Sequence, residues 1–199
     1  VIAHYKMTDL IDTHISLRIP DQYDHFLINQ YGVAFDKMTA STLVKIDHEG
    51  QIVCSYEQNK PVNQAGFVIH SAIHHARPEI DCVIHTHTAD GIAVSAQQHG
   101  LLPISQHALK FYQQLAYHEY EGVALSTDER ERLVADLGDK RAMLLRNHGL
   151  LAMGESIARA FHEIYFLERA CQAQIKALSG GVALHYPTQD ICEKTAQQF

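Results

Sequence analysis

The stretch Cys82-Val83-Ile84-His85-Thr86-His87-Thr88 is the part of this sequence on which its interpretation depends. It is apolar and rich in β-branched residues, which predicts a buried strand. Successive side chains of a strand point to opposite faces, so His85 and His87 share one face. Two neighbouring imidazoles at a strand end are good ligands for zinc and similar divalent ions. The same pair is also compatible with hydrogen-bonded packing, so the strand alone leaves both interpretations open.

A third histidine, His148, follows another predicted buried strand, residues 142–146. Asn147 and Gly149 flank it, and both suit a tight turn with unusual backbone angles. Three histidines with open coordination positions are typical of a catalytic metal site and not of a closed structural one. We therefore predict that His85, His87 and His148 bind a divalent metal, zinc first, with manganese or iron as alternatives. The ion would polarise a carbonyl or hydroxyl oxygen of a small-molecule substrate.

Length and composition set limits on the remaining interpretations. The chain has 199 residues, 46% of them hydrophobic and 20% charged, which predicts one domain spanning 1–199. Its formal net charge of −7 argues against nucleic acid or an anionic membrane as the main partner. No apolar run is long enough to cross a bilayer. The cysteines have no CxxC spacing, so we expect buried free thiols in a reducing cytoplasm. They are Cys54, Cys82, Cys171 and Cys192.

The order of predicted elements favours a layered α/β architecture. Two hairpins come first, which indicates a mixed or largely antiparallel sheet. Helices and strands alternate after them, and Ser156 is the expected N-cap of a long helix that reaches about Leu178. From about residue 182 we expect a loosely attached tail. The predicted strands are 13–19, 25–28, 43–47, 51–54, 82–88, 142–146 and 150–154. The predicted helices are 92–99, 128–137 (capped by Thr127), 156–178 and, earlier in the chain, one that starts by 67 and is ended by Arg77-Pro78.

Several other polar groups have a plain alternative interpretation. His70, His74 and His75 fit a helix surface or packing better than a site. Residues 117–121 could line a site, although a solvated loop is more common. Residues 29–32 could present backbone amides to an anion, although most such turns have no ligand-binding role.

The chain resembles the class II aldolase/adducin domain family over nearly its whole length, in both the order and the spacing of the motifs. The motifs are Thr13-His14-Ile15-Ser16-Leu17-Arg18, Phe26-Leu27-Ile28-Asn29, Ala40-Ser41-Thr42-Leu43-Val44-Lys45-Ile46-Asp47, Ala65-Gly66-Phe67-Val68-Ile69-His70, Arg77-Pro78, Val83-Ile84-His85-Thr86-His87-Thr88, Gly100-Leu101-Leu102-Pro103, Tyr117-His118-Glu119-Tyr120-Glu121-Gly122, Leu145-Arg146-Asn147-His148-Gly149-Leu150 and Leu167-Glu168-Arg169-Ala170-Cys171.

This resemblance implies a three-layer α/β/α sandwich on a central, largely antiparallel mixed sheet. It implies a homo-oligomer, a tetramer or at least a dimer, with active sites at subunit interfaces and a helical segment before Val1. It also implies a divalent ion on three histidines that match His85, His87 and His148, and cleavage or epimerisation of small sugar phosphates through a metal-stabilised enediolate.

The sequence departs from the pattern of the family's enzymes at two places. An acidic general acid/base of the aldolases corresponds to Gly66, which cannot transfer a proton. The positions that match the phosphate cradle are Thr13-His14, Tyr31-Gly32 and Gln64-Ala65, which offer fewer hydroxyl and amide donors to an anion. The Ala-Gly-Phe helix start and the Tyr-His-Glu-Tyr-Glu-Gly loop resemble the adducin-type branch, which contains the non-catalytic head domain of adducin.

Two functions therefore follow from the sequence. The first is a metal-dependent aldolase- or epimerase-like lyase for a small hydroxycarbonyl compound, with or without a phosphate group. The second is a non-catalytic, adducin-like binding or assembly domain with a vestigial metal site. For the enzyme, the expected substrate-binding residues are Asn29, Gly32 and Gly66. The expected proton-transfer candidates are His107, Tyr117, His118 and Glu119, in one subunit or from a neighbouring one.

Overall fold

The computed structural model describes residues 1–55, 61–123 and 128–199. A single eight-stranded sheet forms the centre of this part of the chain. Its strands are β1 (His14–Ile19), β2 (Gln22–Asn29), β3 (Leu43–Asp47), β4 (Ile52–Ser55), β5 (Cys82–Thr86), β6 (Leu115–His118), β7 (Ala142–Leu145) and β8 (Gly149–Gly154).

The strands lie side by side in the order β4-β3-β2-β1-β5-β8-β7-β6. Every neighbouring pair in this sheet is antiparallel except β6 and β7, which run parallel. The early hairpins thus give the largely antiparallel mixed sheet that the sequence predicts. β5, β7 and β8 are buried along their whole length. The continuous apolar sequence of β7 and β8, and of residues 82–84 in β5, suits strands that are covered on both faces.

Helices cover both faces of the sheet, so the predicted three-layer α/β/α sandwich is confirmed. α1 and α4 pack over one face with Phe26, Val83 and Met153 of the sheet. α2 and α5 pack over the other face with Ile84 and Leu150. The helices are α1 (Gln64–Ala76), α2 (Ala89–Ser95), α3 (Gln106–Leu109), α4 (Glu129–Leu137), α5 (Ile157–Ser179) and α6 (Gln189–Ala196).

The alternation of side chains in β1 and β5 decides which layer each residue joins. Val83 lies in the core beneath α1, whereas Ile84 lies in the core beneath α5. His85 is two residues after Val83 and therefore points toward the α1 layer. β1 pairs with β5 so that His14 lies opposite His85. The end of β5 and the start of β1 thus bring two buried histidines together on the α1 side of the sheet.

Most element boundaries agree with the sequence to within a few residues. The Ser156 side chain accepts a hydrogen bond from the Arg159 amide and caps α5, as predicted. The segment beyond residue 182 is more ordered than expected, because α6 packs near α3 and buries Cys192. β6 is not predicted from the sequence either, because its four residues include no β-branched residue. The predicted Thr127 cap lies outside the described residues.

Two further sequence expectations concern thiols and membranes. Cys82, Cys171 and Cys192 are free and buried, as predicted. Burial raises the pKa of the Cys82 thiol to about 12, so this thiol stays protonated at neutral pH. Among the described residues, every helix is too short or too polar to traverse a lipid bilayer.

Candidate metal centre

The first two histidines of the centre come from the end of β5. His85 is fully buried, and its backbone pairs with Leu151 of β8 on one side and His14 of β1 on the other. His87 follows β5 directly, and its side chain is 16% exposed. The Thr88 side chain then accepts a hydrogen bond from the Gly91 amide and caps α2. β5 ends at Thr86 and α2 begins at Ala89. This short connection fixes the direction of both imidazoles.

The third histidine is held by the turn between β7 and β8. Asn147 has a φ of 55°, in the left-handed region that asparagine tolerates better than most residues. The His148 amide donates a hydrogen bond of 3.1 Å to the carbonyl of Leu145. A Cβ atom on Gly149 would lie 2.4 Å from the carbonyl oxygen of Thr86, so only glycine fits there. The Asn-His-Gly sequence therefore makes a turn close enough to β5 to place His148 beside His85 and His87.

The three side chains converge on one point through the same ring atom. The Nε2 atom of His87 lies 2.7 Å from that of His85 and 2.9 Å from that of His148. The Nε2 atoms of His85 and His148 are 3.2 Å apart. Nitrogen ligands of a tetrahedral zinc ion, at about 2.0–2.1 Å from the metal, lie roughly 3.3 Å from one another. The separations are therefore close to those of a three-histidine metal site.

In His85 and His87, a hydrogen bond at Nδ1 determines that the lone pair lies on Nε2. His85 Nδ1 lies 2.9 Å from the Leu150 carbonyl oxygen, so we assign it as the protonated donor. His87 Nδ1 lies 3.3 Å from a carboxylate oxygen of Asp9 and is assigned in the same way. In a neutral imidazole, a protonated Nδ1 leaves Nε2 with its lone pair. Both lone pairs then face the same point, which is the arrangement that metal-binding histidines adopt.

Burial keeps the rings of His85 and His148 neutral. Burial lowers the pKa of His85 well below 6.5, and the neighbouring His14, His148 and His87 lower it further. Burial and His87 lower the pKa of His148 to about 4. Neutral imidazole is the form that binds a metal ion. The donor set, its geometry and its protonation state therefore fit a divalent ion.

A cavity of about 320 Å³ opens beside His87 and His148. This volume is at the small end of the range for ligand pockets. The Tyr31 hydroxyl donates to Asp12 across 3.4 Å at its wall, and the Tyr120 ring lies 6.5 Å from that of His148. The other described residues that line it are His14, Asn63, Ala65, Gly122 and Val123.

Gly66 lies beneath the ring of His14, which lines the cavity. A Cβ atom at this position would lie 2.8 Å from two ring carbons of His14 and 3.1 Å from its Nε2 atom. The imidazole of His14 thus fills the place where a side chain at position 66 would begin. The Asn63 side chain accepts hydrogen bonds from the amides of Ala65 and Gly66, which fixes the first turn of α1 beneath that ring.

The four predicted proton-transfer residues do not line this cavity within one chain. The ring of His107 stacks on that of Phe166, 5.1 Å away. The Tyr117 hydroxyl accepts a hydrogen bond from the Leu101 amide, and Glu119 is 86% exposed. His118 is buried on another part of the sheet, where its ring bonds to side chains of α4. Their contacts give the predicted role no support within one chain, and the edge strand β6 is separated from β5 by β8 and β7.

The predicted substrate-binding residues have mixed positions. Asn29 is buried, and its side chain forms hydrogen bonds with the backbone of Ile15 and Thr13. Its polar atoms therefore link strand β2 to the start of β1. Gly32 lies in a turn with a φ of 87° and is not among the residues that line the cavity, although its neighbour Tyr31 is. Gly66 lies beneath His14, as described above. Sequence reasoning did not name Asp12 or Tyr120 as site residues, and it placed His14 only among the positions that match the phosphate cradle; all three line the cavity.

Comparison with known proteins agrees with this arrangement. The family described as "Class II Aldolase and Adducin N-terminal domain" matches residues 1–175. A solved aldolase II superfamily protein from Pseudomonas syringae is 53% identical, with a TM-score of 0.95 over 100% of this chain and 80% of its own. The chain belongs to the class II aldolase and adducin family.

Other members of the family differ in what their names say they do. The solved L-fuculose 1-phosphate aldolase from Glaciozyma antarctica is 30% identical, with a TM-score of 0.88 over 99% of this chain and 76% of its own. Alpha-adducin from Rattus norvegicus is 43% identical over 89% of this chain and 25% of its own length. The class II aldolase and adducin family thus includes relatives of both kinds.

Proposed function

We propose that this chain is a metal-dependent lyase of the aldolase or epimerase type, acting on a small hydroxycarbonyl compound. The observation that carries the proposal is the convergence of three Nε2 atoms, from His85, His87 and His148, beside a cavity. Desolvating three imidazoles without partners would cost several kcal/mol, since each unpaired polar group costs about 1–3 kcal/mol. A bound ion removes this cost and gives the arrangement a use.

Each part of the centre has a distinct role in this proposal. His85, His87 and His148 would hold zinc, manganese or iron, and the bound ion would polarise a substrate carbonyl and stabilise negative charge on its oxygen. The Leu150 carbonyl and the Asp9 carboxylate orient His85 and His87 through their Nδ1 atoms. The open side of the cluster faces the cavity, where a substrate has room to bind.

The lining of the cavity favours a small substrate without a phosphate group. Among the described residues that line it, none is lysine or arginine. Asp12 supplies a negative charge, and phosphate groups are usually recognised by cationic side chains or free backbone amides. Two of the amides at the start of α1 already donate to Asn63. Polar groups such as Asp12 and the Tyr31 hydroxyl suit the hydroxyl groups of an unphosphorylated sugar or hydroxy acid.

Metal content and turnover test the proposal together. We expect about one zinc, manganese or iron ion per purified chain, and its loss in the His85→Ala/His87→Ala double variant. The loaded chain should cleave or epimerise at least one member of a panel of aldol-type sugars and hydroxy acids, and His148→Ala should abolish this activity. Absence of metal after reconstitution, or retro-aldol turnover unchanged in His148→Ala, would contradict the proposed role of the cluster.

A second candidate function is a non-catalytic, adducin-like binding or assembly domain. Two observations favour it, namely the absence of a side chain at Gly66 and the 43% identity to alpha-adducin. In that case the metal would be structural or vestigial. Metal-dependent turnover of any aldol-type substrate would exclude this candidate, whereas a loaded chain without turnover on the whole panel would favour it.

We also propose that the chain forms a homo-oligomer, a tetramer or at least a dimer. The cavity has an apolar rim, since Tyr120 is 53% exposed and Val123 is 68% exposed. A second copy would cover this rim and complete the cavity wall. Light scattering at micromolar concentration should give a mass of two or four chains, and a monomer would contradict the proposal.

A further inference from the structure

A buried polar seam joins β1 to α1 directly behind the metal centre. His14, Ser16 and Arg18 alternate along β1 and therefore share its face toward α1. Their relative exposures are 2%, 0% and 5%. His70 and His74, four residues apart on α1, face them and are 0% and 1% exposed. Five polar side chains thus occupy a place where apolar residues would normally pack.

Hydrogen bonds connect these side chains into one chain. His14 Nδ1 lies 2.9 Å from His70 Nε2, and His70 Nδ1 lies 2.6 Å from the Ser16 hydroxyl. The same hydroxyl lies 2.7 Å from His74 Nε2. His74 Nδ1 ends the chain 3.4 Å from the carbonyl oxygen of Ile80. His70 and His74 use both of their ring nitrogens in these hydrogen bonds, whereas His14 uses only Nδ1. The Nε2 atom of His14 therefore has no partner in the series.

The contacts of His74, at the end of this series of hydrogen bonds, determine which atom is the donor in each bond. Arg18 already donates from Nη2 to the carbonyl of His74 at 2.6 Å and approaches that of Ile80 at 3.3 Å. We therefore assign His74 Nδ1 as the donor to Ile80, which makes His74 Nε2 an acceptor. Ser16 then donates to His74 and accepts from His70 Nδ1.

At the near end, His70 Nε2 accepts from His14 Nδ1. The neutral ring of His14 therefore carries its lone pair on Nε2.

This Nε2 atom lies at the substrate side of the seam. His14 lines the cavity, and its ring centroid is 4.8 Å from that of His85. Among the described residues, Nε2 has no hydrogen-bond partner, yet it is not one of the sealed polar atoms of the interior. Gly66 leaves the room for it, as described above. Within the described part of the chain, the cavity is thus the open direction for a partner of this atom.

We propose that His14 is the proton-transfer residue of this site, and that His70, Ser16 and His74 are positioning residues that direct its Nε2 lone pair at the substrate. The inference rests on the proposed lyase function. In the cleavage direction, Nε2 takes the proton of a substrate hydroxyl while the adjacent carbon–carbon bond breaks. The hydroxyl oxygen becomes a carbonyl, and the electron pair of the broken bond passes to the carbonyl-bearing fragment. His14 then returns the proton to the carbon of that fragment, which restores the neutral ring.

The seam positions His14 and does not conduct the proton away. A proton passed along the chain would end on His74, next to the permanent positive charge of Arg18. Burial opposes a charged His74, and Arg18 opposes it further. Burial also lowers the pKa of His14 well below 6.5, so His14 holds the proton only until the substrate fragment takes it back.

Nitrogen-15 NMR of the histidine rings in the zinc-loaded chain tests the assignment without reference to activity. We expect His14 to carry its proton on Nδ1 and none on Nε2, with the signal identified by its absence in His14→Gln. In His70→Phe, His14 loses the acceptor of its Nδ1 proton, and the preference between its two tautomers should weaken. His70→Gln offers an amide oxygen and should restore it. A protonated Nε2 in the wild-type chain would overturn the inference.

Turnover then tests the role of the same atom. We expect kcat of His14→Gln to fall by about 10²-fold or more, the usual scale for loss of a general acid/base, with zinc content unchanged. His70→Phe should lower kcat more than it changes KM, and His70→Gln should recover part of the loss. His75→Gln, an exposed histidine on the same helix, is the matched control and should keep full activity.

The outcomes separate this inference from the proposed function. If His14→Gln turns over substrate at the wild-type rate, the inference is overturned and the lyase proposal stays intact. Loss of zinc in His14→Gln also overturns it, because His14 would then be a fourth ligand. Absence of wild-type turnover on the whole substrate panel contradicts the lyase function itself, and the catalytic part of the inference with it.

Discussion

Replacement of Gly66 by alanine tests whether His14 is held where the structure places it. The new Cβ atom would lie 2.8 Å from two ring carbons of His14, about 0.6 Å short of the 3.4 Å at which ordinary contacts begin. The ring has little room to move, because it contacts His85 on one side and bonds to His70 at 2.9 Å on the other. A shift of this size could stretch that bond to the limit of hydrogen-bond distance.

The expected magnitude follows from two opposing terms. Overpacking of a buried site costs about 1–3 kcal/mol, whereas alanine in place of a helical glycine gains about 0.5–1 kcal/mol. We therefore expect Gly66→Ala to lower the free energy of unfolding by about 1–2 kcal/mol. Urea denaturation of the metal-free chain, followed by circular dichroism, measures this change through the shift of the midpoint at constant m value.

Gly180→Ala provides the matched control for this experiment. Gly180 caps the end of α5 with a φ of −79°, and a Cβ atom there would meet nothing closer than 3.9 Å. We expect its free energy of unfolding to change by less than about 0.5 kcal/mol, as at most unconstrained surface positions. A Gly66→Ala variant as stable as the wild type would refute the view that His14 occupies the space above position 66.

Three further predictions concern buried polar groups. Ser16→Ala leaves ring nitrogens of His70 and His74 without a partner and should lower the free energy of unfolding, measured in urea, by about 1–3 kcal/mol. Burial lowers the pKa of His74 from 6.5 to about 3, so as the pH falls the unfolded chain takes up this proton before the folded chain does. The free energy of unfolding should therefore fall between pH 6.5 and pH 3, by up to about 1.4 kcal/mol per pH unit. Urea denaturation at several pH values should show a weaker pH dependence in His74→Gln. Lys110→Met breaks a buried ion pair of 2.5 Å and leaves Glu163 with Arg159 as its cationic partner. Thermal unfolding should therefore show a loss below the roughly 3–5 kcal/mol usual for an uncompensated buried charge, about 1–3 kcal/mol, and the Lys110→Met/Glu163→Gln double variant should recover much of it.

Local patterns in the sequence predicted the parts of the site that depend on neighbouring residues. The His85-Thr86-His87 spacing needs only strand geometry to place both rings on one face. Asn147 and Gly149 predict a tight turn by their own conformational preferences. The long helix α5 follows from its apolar spacing and from Ser156. Each of these features is encoded within a few residues, which is why no tertiary information was needed to find it.

The features that the sequence did not reveal depend on distant contacts. His14, Ser16 and Arg18 alternate with apolar residues, a pattern that usually indicates a solvent-exposed face of a strand. Only the packing of α1 against β1 buries them, through partners 54 and 56 residues away in the chain. β6 and α6 are short, and their place is set by neighbouring elements. Propensity is a weak guide where tertiary contacts make the decision.

The position of the centre in the sheet has a consequence for local opening of the fold. The three histidines come from β5 and from the turn into β8, which lie in the middle of the strand order, whereas β4 and β6 form its edges. Edge strands open at lower free energy than central ones. Hydrogen exchange at β4 can therefore be fast while the amides of β5 and β8 stay protected. A bound ion would slow exchange mainly at these central amides, so exchange rates with and without metal would locate the centre independently of any substrate.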